Sequence, residues 1–268
     1  MKLSISNIAW TSEHDQEVLD YISSRGFSGL EIAPTRLFSE SPYEHIKEAK
    51  EFSRWIEEKV GLRIPSMQSI WYGITESIFG SALDRDRLID YTKKAIDFAN
   101  AIGCSNLVFG CPKNRNVPED IVASEYLPIA YEFFDTVGSY AYNSNTYFAI
   151  EANPPIYGTN YINSTSDAFE ICKQMKNPGI RVNLDVGTMI QNNEPVDIIV
   201  DDFEWINHIH ISEPYLKPIQ KRELHQELFD RLRELRYDKY ISIEMGNNND
   251  IEQLKEIINY LGELRDGV

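Results

Sequence analysis

The chain reads as a single α/β domain over residues 1–268, a (β/α)8 barrel. Three observations carry this. Short apolar, strand-like runs alternate with amphipathic helical stretches throughout, the pattern of parallel strands joined by helical crossovers. There are roughly eight such units, the number that closes a parallel barrel. Four of the later runs, YFAIE, RVNLD, NHIHIS and YISIE, close on Glu151, Asp185, His210 and Glu244, at intervals of 34, 25 and 34 residues. Those intervals suit one strand–helix–strand unit each.

The elements follow in order. LSISNI from Leu3, GLEIA from Gly29, RIPSMQSI from Arg63 and NLVFG from Asn106 precede the four runs above. Thr11 and Ser12 stand ahead of the first helix as capping candidates, and Ser164 and Ser166 ahead of the fifth. Helical spacing appears in Leu88, Tyr91, Ala95, Phe98 and Ile102, in Leu224, Leu228 and Leu232, and in Ile251, Leu254, Ile258 and Leu261. Gly26, Gly61 and Gly103 follow helix ends, where a left-handed residue is wanted. Pro128 falls in the fourth helical stretch, as a start or a kink. No linker or composition break divides the chain. An open doubly wound sheet would want a glycine-rich phosphate loop after the first strand, and SNIAWTSEHD is not one.

Composition narrows the function. With 42% hydrophobic and 25% charged residues the chain has ordinary globular values. A net charge of −16 disfavours nucleic acid as a partner, since such binding needs clustered Lys and Arg. Cys104, Cys111 and Cys172 form no CxxC pair, which fits a reducing compartment. No run approaches the ~20 apolar residues of a membrane helix. The expectation is a cytoplasmic protein without a membrane partner.

Chemistry is expected where the four ligand-type residues converge. In such barrels catalytic groups come from the C-terminal ends of strands. A carboxylate at one strand end is usually a capped or paired structural group, but three carboxylates and an imidazole in register suit a shared divalent ion. Mn²⁺, Mg²⁺ or Co²⁺ match this donor set, with Zn²⁺ also admitted. His208 shares a face with His210, and the position nearer the strand end favours His210 as ligand. Open coordination positions would take a carbonyl and an adjacent hydroxyl, and the ion would stabilise the resulting enediolate. Glu151 and Glu244, with the longer side chains, are the expected acid–base pair, each worth ~10²–10⁴-fold.

IEANP around Glu151, NLDVGTM around Asp185, HIHISEP around His210 and SIEM around Glu244 carry a family resemblance. The chain resembles the sugar-phosphate isomerase/epimerase-like, or xylose-isomerase-like, TIM barrels, a group that includes D-tagatose 3-epimerase, hydroxypyruvate isomerase and inosose dehydratase. The resemblance covers nearly the whole chain. It implies Glu151, Asp185, His210 and Glu244 as metal ligands and Glu151 and Glu244 as catalytic residues. It also implies a substrate-contacting His three residues after Asp185, where this chain has Thr188, a hydrogen-bonding residue without positive charge.

Around the rim, a closed barrel would bring Glu31, Gln68, Trp71, Asn153, Lys113, Arg115 and Lys217 to the substrate. Arg36, Lys113, Arg115 and Lys217 would hold an anionic group. Trp10, Trp71 and Tyr157 would pack a sugar face. Asn153 would orient Glu151 or touch substrate. His14, His45 and His225 read as surface residues, and Asn247–Asn249 as a turn. The expected partner is a small carbohydrate, with oligomerisation open. A dehydratase, a non-catalytic sugar-binding barrel and a phosphodiesterase like endonuclease IV are the competing readings. The last wants a more histidine-rich site than this chain's five histidines offer.

Overall fold

The structure, a computed structural model, describes residues 1–267. Its strands are β1 (Lys2–Ser6), β2 (Gly29–Glu31), β3 (Asn106–Phe109), β4 (Tyr147–Glu151), β5 (Ile180–Asp185), β6 (Ile206–Ile211) and β7 (Tyr240–Ile243). They form one sheet in the order β2-β1-β7-β6-β5-β4-β3, every pairing parallel.

The predicted strand from Arg63 is not one. Arg63–Gln68 makes only isolated parallel bridges, Arg63 to Gly29 and Met67 to both Ile32 and Leu107. Leu30 N–H donates to Arg63 O and Val108 N–H to Met67 O, each at 2.8 Å, so the segment touches β2 on one side and β3 on the other. Pro65 interrupts it, having no N–H for a ladder. The described sheet therefore has seven strands, with an irregular segment between its two edges.

The helices are α1 (Asp15–Ser24), α2 (Pro34–Leu37), α3 (Ile46–Trp55), α4 (Ala82–Ala101), α5 (Ala123–Asn143), α6 (Thr165–Met175), α7 (Val186–Asn192), α8 (Glu223–Glu234) and α9 (Ile251–Asp266). Ser164 caps α6, accepting from Asp167 N–H, and Ser166 lies inside the helix. The first helix starts later than expected. A 3-10 turn over Ser12–His14 precedes α1, and neither Thr11 nor Ser12 makes a capping bond. Pro128 sits inside α5 and does not end it.

Strand alternation sorts the side chains into two faces. Ile5, Ile150, Leu184, Ile209 and Ile241 are buried in the apolar layer between strands and helices. The other face is polar. Register sets Ser6 beside Glu31, Ser4 beside Ser242, Glu151 beside Asn183, and His210 beside both Asp185 and Ser242. Buried polar groups require partners, so this face is a hydrogen-bonded lining rather than a packed apolar one. Among the described residues no helix is long and apolar enough to cross a membrane.

Candidate active site

Glu151 ends β4, Asp185 ends β5 and caps α7, His210 is the penultimate residue of β6, and Glu244 follows β7. Each offers one ligand atom, and the four atoms lie within 4.8 Å of one another. His210 Nδ1 is 3.1 Å from Glu151 Oε1 and 3.1 Å from Glu244 Oε2, yet it is buried with no hydrogen bond of acceptable geometry. Three buried carboxylates around an orphaned imidazole nitrogen form the donor set of a hard divalent cation. The residues fit such an ion.

Three of the four candidate ligands, Glu151, Asp185 and His210, are oriented from behind. Asn183 Nδ2 donates to Glu151 Oε1 at 2.7 Å, and Asn153 Nδ2 to Glu151 Oε2 at 3.3 Å. Thr188 N–H donates to Asp185 Oδ2 at 2.7 Å, and the Ser212 hydroxyl donates to Asp185 Oδ1. Glu31 Oε2 lies 2.9 Å from His210 Nε2 and 3.2 Å from His208 Nε2. Gly110 leaves room for Glu151, because a Cβ there would sit 2.6 Å from Oε2.

The charges are strongly coupled. Burial, then the charge of Glu151, raises Asp185 to about 6. Burial, with Glu151 and Asp185 adding to it, raises Glu244 to about 7 despite the opposing His210. Burial disfavours a charged His210, but Glu244 and Glu31 outweigh it and raise its pKa well above the ordinary value. Burial also works against a charged Glu31, yet His210 and His208 hold it well below the usual carboxylate range. A divalent ion would relieve the same crowding.

A profile of the xylose isomerase-like TIM barrels matches residues 19–264. The chain belongs to that family. Similar solved structures include a 3-keto-D-glucoside 4-epimerase from E. coli, at 18% identity and TM-score 0.76 over 99% of each chain. A D-psicose 3-epimerase from Clostridium cellulolyticum H10, solved with D-tagatose, has 16% identity and TM-score 0.79 over 100% of this chain and 99% of its own. A probable 3-DHS dehydratase from Bacillus anthracis has 17% identity and TM-score 0.72 over 97% and 98%. At these identities the likeness is one of fold. No curated protein matches the chain by sequence.

Within this xylose isomerase-like barrel, several residues expected at the rim lie elsewhere. Arg115 is fully buried beneath the site, donating to Glu151 O at 2.8 Å, Asn153 Oδ1 at 2.9 Å and Ile162 O at 3.2 Å. It orients Asn153 instead of presenting a cation to substrate, and burial lowers its pKa to about 10. Trp71 is a core residue, its indole donating to Thr92 Oγ1 at 3.0 Å and its ring edge-on to Phe109. Trp10 is buried with its Nε1 donating to Asp15, and Arg36 pairs with the same carboxylate at 2.7 Å. Thr188 is fully buried against Asp185 and Ala152 O, so it supports the Asp185 carboxylate. Glu31 lies behind His210, not at the rim.

Gln68 is buried and donates to Ser6 Oγ at 2.8 Å. Lys113 and Lys217 are exposed on their loops. His225, expected at the surface, is buried with its Nδ1 3.2 Å from Tyr260 Oη. Residue-by-residue reading missed Asn183, Ser212 and Gly110. Asn183 and Ser212 each lie two residues from a ligand and so share its face, a period-two signal that was available.

Proposed function

We propose that this protein is a divalent-metal-dependent isomerase or epimerase of a small sugar, working by proton transfer at Glu151 and Glu244. The observation that carries the reading is the convergence of Glu151, Asp185 and Glu244 on the unpartnered Nδ1 of His210. The reading takes the chain as one closed (β/α)8 domain of the cytoplasm, with Arg63–Gln68 completing the ring. Mn²⁺, Mg²⁺ or Co²⁺ suits the four ligands best.

When bound, the cation supplies Lewis acidity to neighbouring substrate oxygens. The residues do the rest. Glu151 and Glu244 stand on β4 and just after β7, separated in the sheet by β5 and β6. A sugar held between them meets a carboxylate on each side. One takes the proton from the carbon beside the carbonyl, and the other returns a proton from the opposite side, which inverts that carbon. Asn183 and Asn153 keep the Glu151 oxygens aimed during transfer. Lys113 and Lys217 are the exposed cations left to meet an acidic group, should the sugar carry one.

The named epimerases among the structural neighbours support this reading. A dehydratase begins with the same proton removal, and the probable dehydratase from Bacillus anthracis favours it as the second reading. The test is incubation of the metal-loaded protein with ketoses in D2O. Deuterium at the carbon beside the carbonyl, with an epimer or isomer as product, supports the proposal. Loss of water from the sugar supports the second reading, and no exchange with any ketose overturns both.

A further inference from the structure

Two loops beside the carboxylate cluster carry an aromatic pair that the proton chemistry does not use. Tyr157 ends the turn Pro155–Tyr157 after β4, and Tyr215 is central in the turn Pro214–Leu216 after β6. Their ring centroids are 5.8 Å apart, and Tyr215 N–H donates to Tyr157 Oη at 2.7 Å. The pair thus links loops on either side of the strand that carries Asp185.

The backbone holding Tyr215 is strained. Tyr215 (φ 63°) and Leu216 (φ 51°) are successive non-glycine residues in the left-handed region, a conformation that persists only where surrounding contacts enforce it. Here Leu216 N–H donates to Glu213 O at 2.9 Å, and Gly246 N–H to Leu216 O at 2.8 Å. Glu213 is itself clamped by Arg222, whose Nε and Nη2 donate to its two oxygens at 2.7 and 2.6 Å. What the strain accomplishes is to hold an aromatic ring outward, since Tyr215 remains 59% exposed. Such a ring contributes little to the core. Burial raises the Tyr157 hydroxyl to about 12, and the charges of Asp185, Glu244 and Glu151 add to it, so the inner end of the pair lies in the field of the cluster.

We propose that Tyr157 and Tyr215 form a stacking subsite for the glycosidic substituent of an uncharged keto-sugar whose reacting end lies at the carboxylates. The proposal rests on the reading of the cluster as a sugar site. Sugar faces and aryl groups both pack on exposed aromatic rings. A phosphate is the weaker candidate for this position. Arg115 is spent beneath the site and Arg36 is paired with Asp15, which leaves Lys217, its Nζ 5.8 Å from the centre of the Tyr215 ring, as the cation beside the pair and makes the phosphate ester the competing arm of the test.

The test compares deuterium exchange by the metal-loaded protein on a free ketohexose, its phosphate ester and an aryl hexopyranoside whose ketone lies away from the anomeric carbon, so that the glycosidic bond leaves the carbonyl free. The expected result is a lower KM for the aryl glycoside. In Tyr215→Ala the preference for the glycoside over the free sugar falls about tenfold, and Tyr215→Phe restores it. Preference for the phosphate ester, or an equal loss on both neutral sugars, overturns the subsite. If no sugar exchanges, the reaction reading fails alone, and calorimetry with the aryl glycoside judges the subsite. Binding weakened in Tyr215→Ala and regained in Tyr215→Phe supports it. Binding that is absent, or equal in all three proteins, overturns it.

Discussion

Glu31 Oε2 sits 2.9 Å from His210 Nε2, on the side of the imidazole opposite the cluster. A carboxylate there makes Nε2 the protonated nitrogen of a metal-bearing imidazole and leaves Nδ1 as the ligand atom, the arrangement that raises ligand basicity in metal sites. Glu31→Gln should therefore weaken divalent-ion binding by about 10–100-fold. Calorimetric titration of the stripped protein with Mn²⁺ measures this, and an unchanged affinity would sink the orienting role.

Glu151→Gln and Glu244→Gln should each lower solvent exchange into substrate by about 10²–10⁴-fold. The fold should persist, since both sites lie at strand ends outside the apolar layer. Deuterium exchange read by NMR, beside circular dichroism, checks both halves. Full activity in either variant refutes the acid–base role of that residue.

Gly110→Ala introduces a methyl group 2.6 Å from Glu151 Oε2. The carboxylate must move, and small misplacements of catalytic groups cost on the order of 10²-fold in rate. Turnover should fall while the melting temperature stays within a few degrees. Unaltered kcat would mean that Glu151 tolerates displacement.

Burial lowers His225 to about 4, below its unfolded value of about 6.5. As pH falls through this interval the unfolded chain takes up the proton first, so folding stability attributable to His225 is intact above about 6.5 and is lost toward about 4. The loss is on the order of a few kcal/mol. Asp185 and Glu244, with raised values, act in the opposite sense over an overlapping range. The readout is thus the difference between wild type and His225→Gln. Melting temperatures followed from pH 7 to pH 4 should fall less steeply in the variant, and parallel curves would exclude His225 as a contributor.

The convergence of the four candidate residues was legible in residue order. Glu151, Asp185, His210 and Glu244 each close a period-two apolar run, and that local pattern marks a strand end without any knowledge of neighbours. The rim was read less well, for a physical reason. Whether Arg115 and Trp71 face solvent or protein depends on how a loop folds back, and both loops turn inward to satisfy buried acceptors and fill the aromatic layer. The expected strand from Arg63 failed locally, at Pro65, where the ladder lacks a donor.

By itself the sequence determined the alternation of elements, the strand ends and the kinds of side chain they carry, because periodicity and side-chain chemistry are properties of short segments. Only the tertiary structure decided the supporting shell. Glu31 and His210 are 179 residues apart in the chain, and Asn183 meets Glu151 from the neighbouring strand. Contacts of that kind arise when the sheet curls and buried polar groups must find partners, a condition that no local pattern expresses.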